Sequence, residues 1–230
     1  MEAAQSANRE IVHNPARWAW QTPEAAAAYR QSRQPAQFAR YHLEETIVNG
    51  WLDDVRDAGL VLDIPCGTGR FVRTVAGRGL RYLGADVSCA MIGEARCTGQ
   101  SPGVTGFVSA DAEHIRLADD SVDCVILWRL LHHIRDPSVR QAMLREAARV
   151  TRYKVLVSFH HPLSFTFLRK LCQRIVSGQS RGAGVVSHWR LQREAEQCGL
   201  QMVCTRSFKK YVSINWFACL VKNGRSSNVA

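Results

Sequence analysis

Three aspartates follow short apolar runs and are the residues best suited to bind a polar ligand. Asp63 ends the run VLD, Asp86 lies in YLGADVS and Asp111 follows FVSA. Because open α/β sheets bind ligands beyond the carboxyl ends of their strands, we expect these side chains to meet at one edge. A carboxylate at the position of Asp86 can accept hydrogen bonds from both hydroxyls of a ribose. A single strand-end aspartate is usually a turn or helix cap, so the series of three carries the prediction.

A glycine-containing turn connects the first of these aspartates to a helix in VLDIPCGTGRF. Gly67 and Gly69 lack side chains, so the backbone of the turn can approach a ligand closely. A dinucleotide site is the competing interpretation. Its fingerprint needs a third glycine three positions after the second, where this chain has Val72. The turn therefore weakens the dinucleotide interpretation.

Candidate residues for a second substrate follow the next strands. His160 and His161 come directly after the fifth predicted strand, and the ordinary pKa of histidine suits a general base. The alternative is that both are turn residues packed against the following helix. Arg129, after the fourth strand, is placed to bind a carboxylate or phosphate, although a surface ion pair would explain it equally well.

The elements that must position these residues alternate in a regular way after Gly59. Apolar runs such as LVLDI, RYLGADV, VDCVILW and KVLVSF are separated by helical stretches, which predicts parallel strands with crossover helices on both faces. Two late runs, LQMVCTRSF and SINWFACLV, are predicted as terminal strands. The fold class is therefore α/β, a doubly wound, mostly parallel seven-stranded sheet.

Three segments decorate this predicted sheet domain, which we place at residues 56–222. Residues 1–55 form a helical N-terminal cap, with helices after Pro23 and from about Phe38 to Leu52. Residues 160–188 form a helical insertion after the fifth strand and are predicted to be a lid on the acceptor side, since a basic helix is followed there by the linker SGQSRGAG. Residues 223–230 are predicted to be a disordered tail.

The stretch from about residue 59 to 160 resembles the class I S-adenosylmethionine-dependent methyltransferases, especially the quinone-biosynthesis C-methyltransferases. The likeness rests on VLDIPCGTGRF, GADVSCAMI, SADAEHIRLADDSVDCVILWRLLHHI and KVLVSF. It implies that S-adenosyl-L-methionine is the cofactor and that a Rossmann-like sheet binds it. The residues implied are Asp63 and the turn Pro65, Cys66, Gly67, Thr68 and Gly69 for the methionine end, Asp86 and Val87 for the ribose, Met91, Asp111 and Ala112 for the adenine, and Leu127 and Trp128 for the cavity floor.

The same resemblance bears on four further residues. Tyr29 resembles a tyrosine that related enzymes place over the donor pocket, while an ordinary helix aromatic is the alternative. His132 and His133 lie in LLHHI, a string that usually supports the fold in this family. Pro65 departs from the family, which usually has glycine there, and proline removes an amide donor from the turn. Cofactor binding is expected to weaken if that amide would have bonded to the ligand; if the amide is unused, proline is tolerated there.

Composition limits the classes of protein that remain. The 230 residues are 46% hydrophobic and 22% charged, as in a globular domain, and no run approaches the roughly 18 apolar residues of a membrane-spanning helix. The first ten residues lack the apolar core of a secretory signal, so we expect a cytoplasmic protein. Eight cysteines form no CxxC pair, so neither a zinc site nor a disulfide framework is predicted.

The net charge of +10 is concentrated in one region. Residues 140–210 contain 14 Lys or Arg and 3 Asp or Glu. This excess favours a small or lipid-linked anionic acceptor. Peripheral association of the protein with the inner face of a membrane is a further prediction. Nucleic acid is the weaker alternative because aromatic residues are not interleaved with the charges. A solvated helical face would also explain the charge.

Three function classes follow. A methyltransferase enzyme is the first. The second is a non-catalytic adaptor with the same fold, an alternative that remains because Pro65 departs from the family's turn. An RNA methyltransferase is the third. The oligomeric state and the identity of the methylated atom are not predicted.

Overall fold

The computed structural model describes residues 20–31, 35–165, 167, 169, 184–209 and 212–224. Seven strands form one sheet in the order β3-β2-β1-β4-β5-β7-β6. The first five strands are parallel and β7 runs antiparallel to both β5 and β6. The strands are β1 (Leu60–Asp63), β2 (Arg81–Asp86), β3 (Val104–Ser109), β4 (Val122–Leu127), β5 (Thr151–His160), β6 (Leu200–Ser207) and β7 (Asn215–Lys222).

Helices occupy most of the connections, as the alternating pattern predicts. The described helices are α1 (Pro23–Gln31), α2 (Pro35–Trp51), α3 (Val72–Ala76), α4 (Cys89–Thr98), α5 (Pro137–Val150) and α6 (His188–Glu196), with a short 3₁₀ turn at Leu131–His133. Ser88 caps α4 and Asp136 caps α5 through their side-chain oxygens. The predicted class, a doubly wound and mostly parallel seven-stranded sheet, is confirmed.

The hydrophobic core lies on both faces of the sheet, since strands flanked by helices on each side are buried throughout. Alternate residues of one strand point to opposite faces, so Leu62 belongs to one cluster and Val61 to the other. Helices α5 and α6 cover the first face. Helix α2 covers the second with Val48 and Trp51, and Leu52 follows directly after the helix. The N-terminal helix α2 is therefore part of the main core.

Several sequence predictions concern residues outside the described ranges. The cap at 1–55 is described only from residue 20, without residues 32–34, and the lid at 160–188 lacks residue 166, residue 168 and residues 170–183. Of the tail at 223–230, residues 225–230 also lie outside. None of the described helices is both long and apolar enough to cross a membrane.

Candidate functional site

A cavity of about 340 Å³ opens at the carboxyl ends of β1, β2 and β4. This volume is within the usual range of small-molecule sites, and the position is where open α/β sheets bind ligands. Helix α2 contributes Arg40 and Tyr41 to one wall, and Trp20 and Tyr29 contribute from the segment before it.

Asp63 sits on the cavity wall as the last residue of β1. Only 1% of its surface is exposed, and Oδ2 accepts a 2.7 Å hydrogen bond from the Tyr82 hydroxyl. Oδ1 is buried and has no hydrogen-bond partner among the described residues. Burial, reinforced by nearby Asp86, raises the pKa of Asp63 to about 7. A cationic or hydrogen-bond-donating ligand group would therefore stabilise the charged carboxylate.

Asp86 binds the turn that follows β1. Its Oδ2 accepts a 2.9 Å bond from the backbone N–H of Gly67, and Oδ1 accepts one of 2.9 Å from that of Ser88. Burial raises the pKa of Asp86, while these backbone donors act in the opposite direction. Each carboxylate oxygen has two lone pairs, so Asp86 retains the capacity to accept hydrogen bonds from ligand hydroxyls.

The turn between Asp63 and α3 brings backbone to the cavity, as predicted. Gly67 has a φ of 53°, and the space where its side chain would lie is open. The Ile64–Pro65 peptide bond is cis. Gly69, with a φ of 73°, does not line the cavity; a side chain there would approach Val72 and Ala95 of the packed helices. Gly69 is therefore needed for chain geometry and helix packing.

The adenine-side residues predicted from the sequence line the cavity beyond β2 and β3. Met91 and Ala112 are buried there, and Asp111 lies beside them, its Oδ1 accepting a 3.1 Å bond from the N–H of Glu113. Trp20 and Tyr29 pack with ring centroids 4.8 Å apart, and Ser88 Oγ donates a hydrogen bond to the Trp20 carbonyl. The N-terminal segment thus closes this end of the cavity.

Glu44 of α2 organises the opposite wall. Its oxygens accept bonds from Arg40 Nε (3.1 Å), Arg70 Nη1 (2.6 Å), Trp128 Nε1 (2.9 Å) and both Nε and Nη2 of Arg129 (3.2 and 3.0 Å). Burial alone would raise the pKa of Glu44, but the Arg70 and Arg129 charges and these hydrogen bonds lower it to about 2. This carboxylate is charged at neutral pH and clamps α2 to the loops after β1 and β4.

Arg129 holds a strained backbone conformation within this cluster. Its φ is 56°, in the left-handed region that residues other than glycine rarely adopt, and its N–H donates a 2.6 Å bond to Ser158 Oγ. The guanidinium lies 4.8 Å above the Tyr41 ring. The sequence left a surface ion pair as the alternative for Arg129; the structure places it in a partly buried ion pair on the cavity wall.

The histidines require a correction to the sequence interpretation. His132 and His133 line the cavity, whereas His160 and His161 are not among its lining residues. His160 stacks behind His132 with centroids 4.2 Å apart. His161 is fully buried, with Nε2 3.1 Å from His188 Nδ1 and Nδ1 accepting from the Leu163 N–H. Burial lowers the pKa of His132 to about 2 and lowers that of His133 as well, so both are neutral.

The structure brings most of the predicted site residues together. Of the predicted cofactor-binding residues, Gly69 and Leu127 do not line the cavity. Leu127 is fully buried in the hydrophobic core. The predicted residues that line the cavity are Tyr29, Asp63, Pro65, Cys66, Gly67, Thr68, Asp86, Val87, Met91, Asp111, Ala112, Trp128 and Arg129.

Several lining residues were not predicted from the sequence. Trp20, Arg40 and Tyr41 come from elements with no recognisable motif, and Arg70 lies within the motif VLDIPCGTGRF but was given no role there. The i, i+4 spacing of Arg40 and Glu44 was a visible signal, but such pairs are usually solvent-exposed. Arg70 directly follows the glycine turn, a position at which a cation near the ligand could have been anticipated.

Comparisons with known proteins agree with this geometry. Residues 61–154 match the family model of a methyltransferase domain. A demethylmenaquinone methyltransferase of Thermobifida fusca is 31% identical over 110 residues, 47% of this chain and 47% of that protein. A ubiquinone/menaquinone biosynthesis C-methyltransferase of Haemophilus ducreyi is 36% identical over 89 residues, 36% of this chain and 34% of its own. Each match spans less than half the length of the curated relative.

Solved structures show the same fold at low sequence identity. Magnesium protoporphyrin IX methyltransferase from Synechocystis PCC 6803, crystallised with bound SAH, superposes with a TM-score of 0.68 at 17% identity, covering 85% of this chain and 93% of that one. A SAM-dependent methyltransferase from Aquifex aeolicus gives a TM-score of 0.61 at 15% identity, covering 87% and 98%.

Proposed function

We propose that the chain transfers a methyl group from S-adenosylmethionine to a small-molecule acceptor, because residues 61–154 match the family model of a methyltransferase domain and the sheet has the fold of solved methyltransferases. The observation that carries this proposal is the cavity at the carboxyl ends of β1 and β2, where Asp63, Asp86 and the Gly67 turn meet.

The residues present fit this donor. S-adenosylmethionine supplies an electrophilic methyl group on a sulfonium, together with an ammonium, a carboxylate and two ribose hydroxyls. The unpartnered Oδ1 of Asp63 can accept from the ammonium, and Asp86 can accept from the ribose. The open space beside Gly67 admits a ligand against the backbone. Pro65 has no amide N–H, so the turn has one donor fewer. The turn is nevertheless held by the N–H of Gly67, which donates to Asp86.

The chain's own contribution to the reaction is positioning. Alignment of the acceptor with the methyl group can supply about 7–11 kcal/mol in favourable cases. His132 and His133 offer neutral ring nitrogens on the wall, and Trp128 and Phe71 form an apolar floor that excludes water. A histidine whose pKa burial lowers to about 2 is a weak base, so His132 is assigned to orient the acceptor.

Leu163, Phe165 and Trp189 are exposed by 55%, 66% and 55%, at the start of the segment 160–188 and just beyond it. This apolar surface supports a lid role for that segment, and it supports a lipid-linked acceptor reached from the cytoplasmic face of a membrane. The net positive charge of residues 140–210 in the sequence also supports an anionic acceptor or membrane surface.

The test is incorporation of labelled methyl groups. The purified protein is incubated with methyl-labelled S-adenosylmethionine and, in parallel, with a small-molecule extract, a lipid extract and total RNA. We expect label in a small-molecule or lipid product, and much less of it with the Asp86→Ala variant when the donor concentration is limiting. Label confined to RNA would replace the proposed acceptor class, and a folded protein that binds the donor but labels nothing would favour an adaptor.

A further inference from the structure

Two cysteines face each other across the antiparallel strands at the edge of the sheet. Cys204 of β6 and Cys219 of β7 are direct partners in the register of these strands, and both are free thiols. Directly opposed residues of antiparallel strands have Cα atoms about 4.5–5.5 Å apart, and a disulfide needs about 4.4–6.8 Å. The register therefore gives this pair a spacing that is compatible with a disulfide.

An irregularity in β6 produces this pairing. Met202 pairs with Leu220, whereas Cys204, two residues later, pairs with Cys219 and not with Ala218. One extra residue of β6 lies in between, as in a β-bulge. Cys219 belongs to the hydrophobic cluster that α2 covers, and Cys204 packs against the same cluster, so both thiols lie on one face of the sheet.

The two thiols differ in exposure and in acidity. Cys219 is fully buried, whereas Cys204 is partly exposed. The hydrogen bond between the thiols lowers the pKa of Cys204 to about 7, and the Arg206 and Lys154 charges act in the same direction. Cys204 is therefore partly thiolate at neutral pH, which is the form that reacts with oxidants.

Oxidation of Cys204 prepares Cys219 to react in turn. The hydrogen bond to Cys204 and burial both raise the pKa of Cys219, the first of these most strongly. Conversion of Cys204 into a neutral sulfenic acid removes the neighbouring thiolate. The Lys154 ammonium, which is 2% exposed, still lowers the pKa of Cys219. Cys219 is thus placed to attack the oxidised sulfur of Cys204.

We propose that Cys204 and Cys219 form a reversible redox site, at which hydrogen peroxide converts the two thiols into a disulfide that joins β6 to β7. The Cys204 thiolate attacks one peroxide oxygen, the O–O bond breaks, and a sulfenic acid and hydroxide form. The Cys219 sulfur then displaces the hydroxyl group of the sulfenic acid, and the S–S bond forms. The thiols lose two electrons and two protons in total, and the peroxide becomes two molecules of water.

This redox site is separate from the proposed donor site, because neither cysteine lines the cavity. The inference therefore stands or falls independently of the proposed function. A thiol such as dithiothreitol reverses the reaction by thiol–disulfide exchange.

Other cysteines of the chain provide internal controls. Cys89 and Cys97 are exposed, but eight residues of helix α4 separate them by about 12 Å along its axis, which is too far for a disulfide. Cys198 is neither fully buried nor fully exposed, like Cys204, but burial raises its pKa. Cys198 is therefore the matched control for reactivity.

The main experiment treats the reduced full chain with hydrogen peroxide, blocks the remaining thiols with N-ethylmaleimide and maps tryptic peptides by mass spectrometry without reduction. We expect peptide 194–206 joined to peptide 211–222, two hydrogens lighter than their sum and separated again by dithiothreitol. Fragmentation distinguishes Cys204 from Cys198, and Cys198→Ser should leave the link unchanged. Recovery of Cys204 and Cys219 as maleimide adducts, or a link through Cys198, would overturn the proposal.

Two further measurements test the order of the steps. At pH 7.5, iodoacetamide should label Cys204 at least tenfold faster than Cys198, because its thiolate fraction is larger. In Cys219→Ala, peroxide should leave Cys204 as a sulfenic acid that dimedone traps, with no joined peptide. Cys204→Ser, at a partly exposed position that tolerates the change, should form neither product. Equal labelling of the two cysteines, or a joined peptide in Cys204→Ser, would contradict the assignment.

Discussion

At the scale of single residues, the cavity depends on carboxylates whose surroundings differ. Asp63 and Asp86 are both buried, which raises the pKa of each. Glu44 is also buried but is surrounded by guanidiniums, which lower its pKa to about 2. The first two carboxylates favour a cationic ligand, whereas Glu44 is already neutralised by the protein.

The raised pKa of Asp63 predicts a pH dependence of donor binding. A ligand cation favours the charged carboxylate, so the pKa of Asp63 falls on binding and a proton is released. Donor affinity should therefore increase as the pH rises from 5.5 toward about 7 and level off above, with a slope approaching tenfold per pH unit. Calorimetry with S-adenosylhomocysteine measures this dependence.

The Asp63→Asn variant should bind the donor more weakly and lose the slope. Asp119→Asn, at a loop carboxylate whose side chain is 75% exposed, should behave as the unaltered protein. A flat profile in the unaltered protein between pH 5.5 and 7 would contradict the placement of the donor's ammonium beside Asp63.

Replacement of Asp86 by alanine should weaken S-adenosylhomocysteine binding by about 1.5–3 kcal/mol, the scale of charge-assisted hydrogen bonds. Because Asp86 also accepts from the backbone of Gly67 and Ser88, the variant should unfold at a lower denaturant concentration as well. Calorimetry and denaturant titration measure the two effects, with Asp119→Ala as the control. Unchanged affinity would remove Asp86 from the donor site.

At the scale of elements, helix α2 is held to the sheet by its apolar face and by Glu44. Replacement of Glu44 by alanine leaves Arg70 and Arg129 without their carboxylate in a partly buried site, and we expect a loss of about 3–5 kcal/mol in the free energy of unfolding. Glu45→Ala, one residue away and 39% exposed, is the matched control. Equal stability of the two variants would contradict the clamp.

The same clamp has a defined pH window. The folded-state pKa of Glu44, about 2, lies below the ordinary value of 4.5. Its contribution to stability is therefore complete above about pH 4.5 and is lost as the pH falls toward 2.

The elements around the donor site could be predicted because their signals are local. Asp63, Gly67 and Asp86 belong to strand–turn–helix units in which residue spacing fixes position at the sheet edge. The arginine–Glu44 cluster could not, since residues 44, 70 and 129 come from three separate elements without a shared motif.

The positions of His160 and His161 away from the cavity lining could not be predicted for a related reason. Strand β5 continues to His160, and the N–H of His161 then donates to the Ile214 carbonyl just before the antiparallel strand β7, which turns that ring into the core. Sequence proximity to a strand end carries no information about this pairing, which depends on a segment about fifty residues later in the chain.

At the scale of the whole molecule, the strand order determines what the fold can bind. The order reverses between β1 and β4, so the loops after these strands diverge and leave the crevice in which the cavity lies. The mostly parallel sheet follows from the alternation of apolar runs and helices, whereas the strand order was not predicted from the sequence. The antiparallel β7 inserted between β5 and β6 completes the sheet.

The central claim, that this cavity binds S-adenosylmethionine, is tested most directly by titrating the purified full chain with S-adenosylmethionine and with NADH in a calorimeter. We predict one-site binding of S-adenosylmethionine and no competition by micromolar NADH, because Val72 stands where a dinucleotide fingerprint needs glycine. A folded sample that binds NADH in this cavity, or that binds no S-adenosylmethionine, would contradict the account.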